Sequence, residues 1–333
     1  MNWGLVGAST IAAQHMIAAF RAHESGQVKW LVSGSEKWGA SYATEHGIAQ
    51  CTTEIDRMLA DPEVDAVYIS STNEKHHDQA LRAINSGKHV LCEKPLAMSL
   101  GHAVEMVQAA AESGVVLATN HHLRNAGAHL AIRDLITSGA IGDVQSLRVF
   151  HAVNLPQNLQ GWRINNMSAG GGVIPDIIVH DADTVRFHLG EDPAEVVAIA
   201  GSSGMGKGVE DSVMTAWTMP SGVMVQVHAS FTHRFAETGF EIYGSKGAIR
   251  GHGVMTQQPV GVLELVTAEG RYPVPFSPHS LYGRAVALFV AAIAENTPPA
   301  ADGVDGVKSL AVALAVREAA AQGRQVNVDY GGF

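Results

Sequence analysis

Three groups of residues in this chain have the types and spacing to do chemistry together. The first, Gly7-Ala8-Ser9-Thr10-Ile11-Ala12, follows the apolar run Trp3–Val6 directly. A turn that cradles a dinucleotide pyrophosphate wants glycine first, for the tight bend. It wants a small second residue so that backbone N–H groups approach the phosphates, and a small third so that the helix packs on the strand. Gly7, Ser9 and Ala12 supply this triplet in degenerate form, and its place at the first strand-to-helix junction gives it weight. Thr10 and Ile11 then open a helix whose amides suit an anion. The second group is Cys92-Glu93-Lys94-Pro95, where a lysine ends an apolar run and a proline fixes the backbone, with a cis bond one way of doing so. The third is Asp176 and His180, four apart on a helical pattern and so on one face, among Ile174, Ile177, Ile178, Val185 and Leu189. Reduction of a ketone needs a proton donor and a cation for the developing alkoxide. His180 is the candidate acid, Lys94 the candidate polarising group, and Asp176 the residue that orients the imidazole or grips a substrate hydroxyl. Two plainer readings stand beside this one: a solvated lysine after a strand, and an Asp–His pair that only satisfies itself in a buried helix.

The end of the second apolar run bears on the cofactor. An NAD site carries Asp or Glu there for the ribose 2′-hydroxyl, and a 2′-phosphate would be repelled by it. Here the residues are Ser33-Gly34-Ser35, with Lys37 just beyond, which suits NADP(H) better than NAD; Glu36 begins the next helix and points away. The chain has 17 histidines, but the adjacent pairs His76-His77 and His121-His122 point in different directions and no His-x₃-His is joined by a third spaced ligand. No metal site is expected. Asn120 and His121 are placed to line the nicotinamide side of a crevice.

These groups need elements to hold them. Up to residue 121, short apolar runs (Trp3–Val6, Val28–Val32, Ala66–Ser70, His89–Cys92, Val115–Thr119) alternate with helical segments. One of these carries Ala12, Met16, Ala19 and Phe20 on a single face; another has Asn73 as its expected N-cap and Gly87 closing it. The alternation predicts an α/β Rossmann domain with a doubly wound parallel sheet over residues 1–121. Beyond it the pattern changes. A helix over 128–137 ends at Gly139, the strand Val144–Val153 follows, and Gly170-Gly171-Gly172 leads into a helix with Pro175 in its first turn. Alternating strands then dominate, with hairpins expected at Ser221-Gly222 and over 244–247. Two alanine-rich helices (280–295 and 304–322) end the chain. Residues 122–333 are therefore expected to form an α+β domain with a large, mainly antiparallel open sheet, the C-terminal helix being placed to pack back on the first domain.

At 333 residues two domains are the natural division. The net charge of −10 argues against a nucleic-acid or anionic-membrane partner. Cys51 and Cys92 make no disulfide framework and suit a reducing compartment. With no basic leader before the first strand, and apolar stretches too short to span a bilayer, the expected location is cytoplasmic. One face of the strand Val223–Phe231 carries Met224, Gln226, His228 and Ser230. That is polar for an obligate interface, so a monomer and a homo-oligomer through this sheet both stand.

The combination Gly7–Ala12, Glu93-Lys94-Pro95 and Gly170-Gly171-Gly172…Asp176…His180 resembles the Gfo/Idh/MocA oxidoreductase family, and so do the turn over 244–247 and Asp302-Gly303…Asp305-Gly306. The likeness covers essentially the whole chain. It implies NADP(H)-dependent reduction of a ketone on a small cyclic polyol or ketose, with an inositol or aldose dehydrogenase as the alternative. A remoter alternative is a non-catalytic NADP-sensing regulator. It also implies cofactor contacts at Ser9, Thr10, Ile11, Ala12, Ser33, Gly34, Ser71, Thr72, Asn73, His76, Glu93, Lys94, Asn120, Trp162 and Arg163. By the same resemblance His151, Lys94, Asp176 and His180 line the substrate, with Trp162 and Arg163 beside them. Where reductases of this kind carry an arginine near the 2′-phosphate, this chain has Trp38, with Lys37 next to it; lysine lacks the bidentate fork, which weakens the expected NADP selectivity.

Overall fold

Apolar runs without polar alternation must be buried on both faces, which a parallel sheet between helices achieves. The computed structural model describes residues 1–23 and 26–333. It divides into two compact units, 1–121 with 282–307 and 122–281 with 308–333.

In the first unit β1 (Asn2–Val6), β2 (Gln27–Val32), β3 (Gln50–Thr52), β4 (Ala66–Ile69), β5 (His89–Cys92) and β6 (Leu117–Thr119) form one sheet. Its order is β3-β2-β1-β4-β5-β6 and every neighbouring pair is parallel. The order reverses between β1 and β4, the switch point at which such sheets bind ligands. The connections contain α1 (Ile17–Ala22), α2 (Glu36–Glu45), α3 (Ile55–Leu59), α4 (His76–Asn85) and α5 (Leu100–Ser113). Strand β3 escapes the sequence pattern because Gln50-Cys51-Thr52 is short and polar. Asn73 does not cap α4; it opens a 3₁₀ turn, Asn73–Lys75, that runs into that helix. Gly87 does close α4, at φ 71°.

The second unit holds α6 (Gly127–Thr137), β7 (Val144–Ala152), the short α7 (Gln157–Gln160), α8 (Val179–Leu189), β8 (Glu195–Gly201), β9 (Ser212–Thr218) and β10 (Met224–Ser230). It continues through β11 (Gly239–Gly244), β12 (Gly247–His252), β13 (Val262–Thr267) and β14 (Gly270–Val274). Near the chain end come α9 (Leu281–Glu295), α10 (Gly303–Gln322) and β15 (Val326–Asn327). The sheet runs β14-β13-β12-β11-β7-β10-β9-β8-β15. It is antiparallel throughout except for the central pair β7–β10, which is parallel. Alternation sets its faces: Val225 and Val227 are buried, while Met224 and Gln226 are exposed. The buried face packs in one core with Phe231, Phe240, Ile249 and, from α10, Val312 and Val316. Each fully buried side chain of this size contributes roughly 1.5–3 kcal/mol.

Two sequence expectations are corrected. The stretch 282–307, assigned to the second domain, belongs with the first unit, because Phe289 packs on Trp3 (5.4 Å between centroids) and Tyr282 stacks on His15 (4.5 Å). The outer face of the large sheet is also less polar than β10 alone indicates: Ile199 is 81% exposed, and Met214, Met224 and Val262 are exposed too. Among the described residues no helix is long and apolar enough to cross a membrane.

The loop between β8 and β9 is tied by one carboxylate. Buried Asp211 accepts from the backbone N–H groups of Ser203, Met205 and Gly206 at 2.7–2.8 Å and from the Ser203 hydroxyl at 2.9 Å. Burial alone would raise its carboxyl pKa, but these donors outweigh it and the pKa is lowered. A depressed folded-state pKa gives stability that is complete above the unfolded carboxylate range and lost as pH falls through the folded value. Asp211→Ala should therefore cost roughly 3 kcal/mol at neutral pH. The gap between the urea midpoints of variant and parent should hold down to about pH 4, the unfolded carboxylate range, and shrink only at lower pH, as Asp211 is protonated in the folded state.

Candidate active site

In the first unit the predicted residues collect at the carboxyl ends of the parallel strands. Gly7 sits at φ 108°, and a Cβ there would lie 2.8 Å from the Ser70 and Ser71 backbone. The β1 turn thus closes on the end of β4 only because its first residue is glycine. Ser9 caps the following helix: its Oγ accepts from Ala12 N–H at 3.2 Å and donates to Ser70 Oγ at 2.7 Å. Its carbonyl accepts from Ala13 N–H and from the Tyr42 hydroxyl. Thr10 and Ile11 begin that helix, which passes through a π turn, Ala12–Met16, before α1. At the end of β2, Ser33 is buried and Gly34 and Lys37 are exposed. Trp38 is 56% exposed, and its indole N–H donates to the Ala8 carbonyl at 3.4 Å. It lies against the first turn and offers no charge.

Ser71, Thr72, Asn73 and His76 form the end of β4 and the start of α4. The fully buried His76 ring has Nδ1 2.9 Å from the Pro95 carbonyl and Nε2 3.2 Å from the Ser71 carbonyl. It braces the two loops, and burial, the largest effect, lowers its pKa. Beyond β5, Glu93 is buried and the Lys94–Pro95 bond is cis. Glu93 Oε1 accepts from the Tyr68 hydroxyl (2.7 Å) and from Asn120 Nδ2 (2.6 Å). Burial raises its pKa against the lowering effect of these donors and of Lys94. Asn120 is itself buried, and its Oδ1 has no hydrogen-bond partner among the described residues. This buried acceptor and the glycine cradle fit a nicotinamide dinucleotide, which presents amide donors and phosphates.

In the second unit a different constraint rules. The helix from Ile174, a π turn (Ile174–Ile178) followed by α8, is buried while carrying Asp176, His180, Asp181, Asp183 and His188. Asp176 and His180 remain close to one face across the π turn, a feature frequent at functional sites. Buried carboxylates need partners, and each of these draws one from another element. Arg163 Nε lies 3.6 Å from Asp176, the Arg124 guanidinium grips Asp183 at 2.7–2.8 Å, and His151 Nδ1 is 2.7 Å from Asp181. His151, near the end of β7, has its ring 6.3 Å from that of His180, and His122 meets His180 edge-on at 4.8 Å. Trp162 lies under the Arg163 guanidinium, 4.7 Å from its ring centre. The structure thus gathers His151, Trp162, Arg163, Asp176 and His180 in one unit. Sequence reasoning missed Asp181, Arg124, Asp183 and Tyr68. The signal for the first three was present: a helix with acids on several faces cannot bury itself without imported cations.

Residues 1–121 match the oxidoreductase family with an NAD-binding Rossmann fold, and residues 129–250 match the GFO/IDH/MocA C-terminal domain. The chain therefore belongs to the Gfo/Idh/MocA family of nicotinamide-dependent oxidoreductases. It is 56% identical over 331 residues, 99% of each chain, to 1,5-anhydro-D-fructose reductase of Ensifer adhaerens. It is 27% identical to inositol 2-dehydrogenase of Rhizobium meliloti (strain 1021), covering 98% of this chain and 99% of that one. Among solved structures, aldose-aldose oxidoreductase from Caulobacter crescentus in complex with glycerol superposes with a TM-score of 0.90 at 25% identity, over 98% and 99% of the two chains.

The glycine link explains how Arg163 is held beside Asp176. Gly171 N–H donates to the Asn166 carbonyl and Gly172 N–H to the Arg163 carbonyl. A Cβ on Gly171 would stand 2.6 Å from the Trp162 carbonyl and 2.8 Å from that of Asn166. Gly171→Ala must push this segment away, at roughly 1–3 kcal/mol. The expected result is a lower melting temperature by thermal denaturation and a raised KM for the carbonyl substrate in steady-state kinetics.

Proposed function

We propose that this protein reduces the C2 ketone of 1,5-anhydro-D-fructose to 1,5-anhydro-D-mannitol with NADPH. The observation that carries the reading is the near-complete coverage at 56% identity with a reductase of that substrate. The imidazole and carboxylate groups of the second unit support it. Bound NADPH supplies the hydride. The turn from Gly7 to Ala12, with Ser71, Thr72, Asn73 and Asn120, would hold the dinucleotide, and Ser33, Gly34 and Lys37 would hold the 2′-phosphate. Lys94 stabilises negative charge developing on the carbonyl oxygen, and His180 delivers a proton to that same oxygen. Asp176, held by Arg163, accepts from a ring hydroxyl and fixes the sugar's orientation; Trp162 and His151 complete the substrate contacts.

The decisive assay follows the absorbance of reduced nicotinamide with 1,5-anhydro-D-fructose, an inosose and glucose. Turnover is expected with the first at far higher kcat/KM; preference for the inosose would move the assignment to an inositol dehydrogenase. His180→Ala should lower kcat by roughly 10²–10⁴ while NADPH binding survives, and unchanged turnover would remove His180 from the acid role. Lys37 is the cation proposed for the 2′-phosphate, so Lys37→Ala should raise KM for NADPH several-fold and leave that for NADH alone. Equal effects on both cofactors would place the phosphate elsewhere.

A further inference from the structure

We propose that His151 and Asp181 form a proton-holding dyad, in which Asp181 is the positioning residue that keeps Nε2 of His151 a hydrogen-bond donor to the substrate. The inference deepens the reductase reading and rests on it for the substrate alone. Asp181 is 0% exposed. Oδ1 meets His151 Nδ1 at 2.7 Å, and Oδ2 has no hydrogen-bond partner among the described residues. A carboxylate so placed has one source of compensation, the imidazole beside it.

Proton counting then fixes the chemistry. With one shared proton the pair is either carboxylate with imidazolium or carboxylic acid with neutral imidazole, and in both forms Nε2 carries hydrogen. Removing that proton leaves Nδ1–H on the carboxylate, makes Nε2 an acceptor and strands a net negative charge in the interior, which is strongly disfavoured. Burial pushes the Asp181 carboxyl up against the lowering effect of His151, the direction expected for a pair that shares a proton. His180 of α8 is 6.3 Å from His151 ring to ring, and His129 of α6 opposes its charge. On the neighbouring strands Ala229 of β10 stands opposite His151, and Gly239 of β11 stands opposite the adjacent Phe150, and neither titrates. Asp181 is the carboxylate hydrogen-bonded to the His151 ring. A donor at Nε2 suits ketone reduction, in which the site must deliver a proton; its loss at high pH suits the reverse oxidation.

Two variants of the full-length enzyme and one spectroscopic reading test this. In Asp181→Asn the amide cannot offset an imidazolium. The alkaline limb of the kcat profile for ketone reduction should move acidward by about one pH unit or more. The value of kcat at neutral pH should fall roughly tenfold or more, while KM for NADPH stays unchanged. Asp181→Glu should restore part of both. In His151→Gln the donor is retained but cannot titrate, so Asp181→Asn in that background should shift the alkaline limb no further, what remains of it belonging to His180. Ring ¹⁵N signals of labelled histidine, with His151 assigned by its loss in His151→Gln, should report a protonated Nε2 in the parent at neutral pH and a bare one in Asp181→Asn. If the His151 signals and the alkaline limb are the same in Asp181→Asn as in the parent, whatever happens to kcat, Asp181 is only structural and the dyad is refuted. The ¹⁵N reading needs no substrate, so it decides the dyad even if the proposed ketone is not reduced.

Discussion

The site in the second unit depends on one electrostatic constraint: a helix that buries carboxylates must import a cation for each. Within eight residues the chain from Asp176 to Asp183 buries three acids. Taking a carboxylate out of water costs several kcal/mol even after relaxation, and leaving it unpaired costs more. The fold answers with Arg163 from the segment after α7, His151 from β7 and Arg124 from the turn before α6. Four pieces of chain are pulled together by charge, and the imidazole of His180 lies among them. The apolar core under the sheet supplies most of the driving force; the ion pairs determine which polar groups end up as neighbours.

The first unit meets a related requirement without ion pairs on every acid. Glu93 is buried between two neutral donors, Tyr68 and Asn120, with Lys94 next in sequence. Committing the Asn120 amide nitrogen to Glu93 points a single kind of valence, the acceptor Oδ1, at whatever binds. Likewise the His76 ring is wedged between the Pro95 and Ser71 carbonyls, 2.9 and 3.2 Å from its two nitrogens. The side chains at this strand edge are thus mostly oriented by one another, so a ligand meets a preformed surface.

Much of this was legible in the chain, and the reasons are physical. Parallel strands and glycine turns leave local signatures, because apolar runs and φ > 0 positions are dictated by neighbours in sequence. Gly7, Lys94, Asp176 and His180 could therefore be singled out and placed on their elements. Strand β3 was not visible, since a short polar strand at a sheet edge is decided by its partner β2. The assignment of 282–307 failed because it turns on Trp3 meeting Phe289, a contact between distant parts of the chain. Asp181 was passed over beside His180 because nothing local shows which strand will present a histidine to it.

The three cations on the buried helix differ in one consequential way. Arginine stays charged at any pH a protein survives, so Asp176 and Asp183 have compensation that does not vary. The third partner, His151, is an imidazole, which can accept as well as donate a hydrogen bond. A fold that needed only stability would gain from arginine at all three positions. With histidine at the third, set on a fully buried carboxylate, the ring keeps its second nitrogen for a further hydrogen bond while the two guanidinium pairs fix the helix.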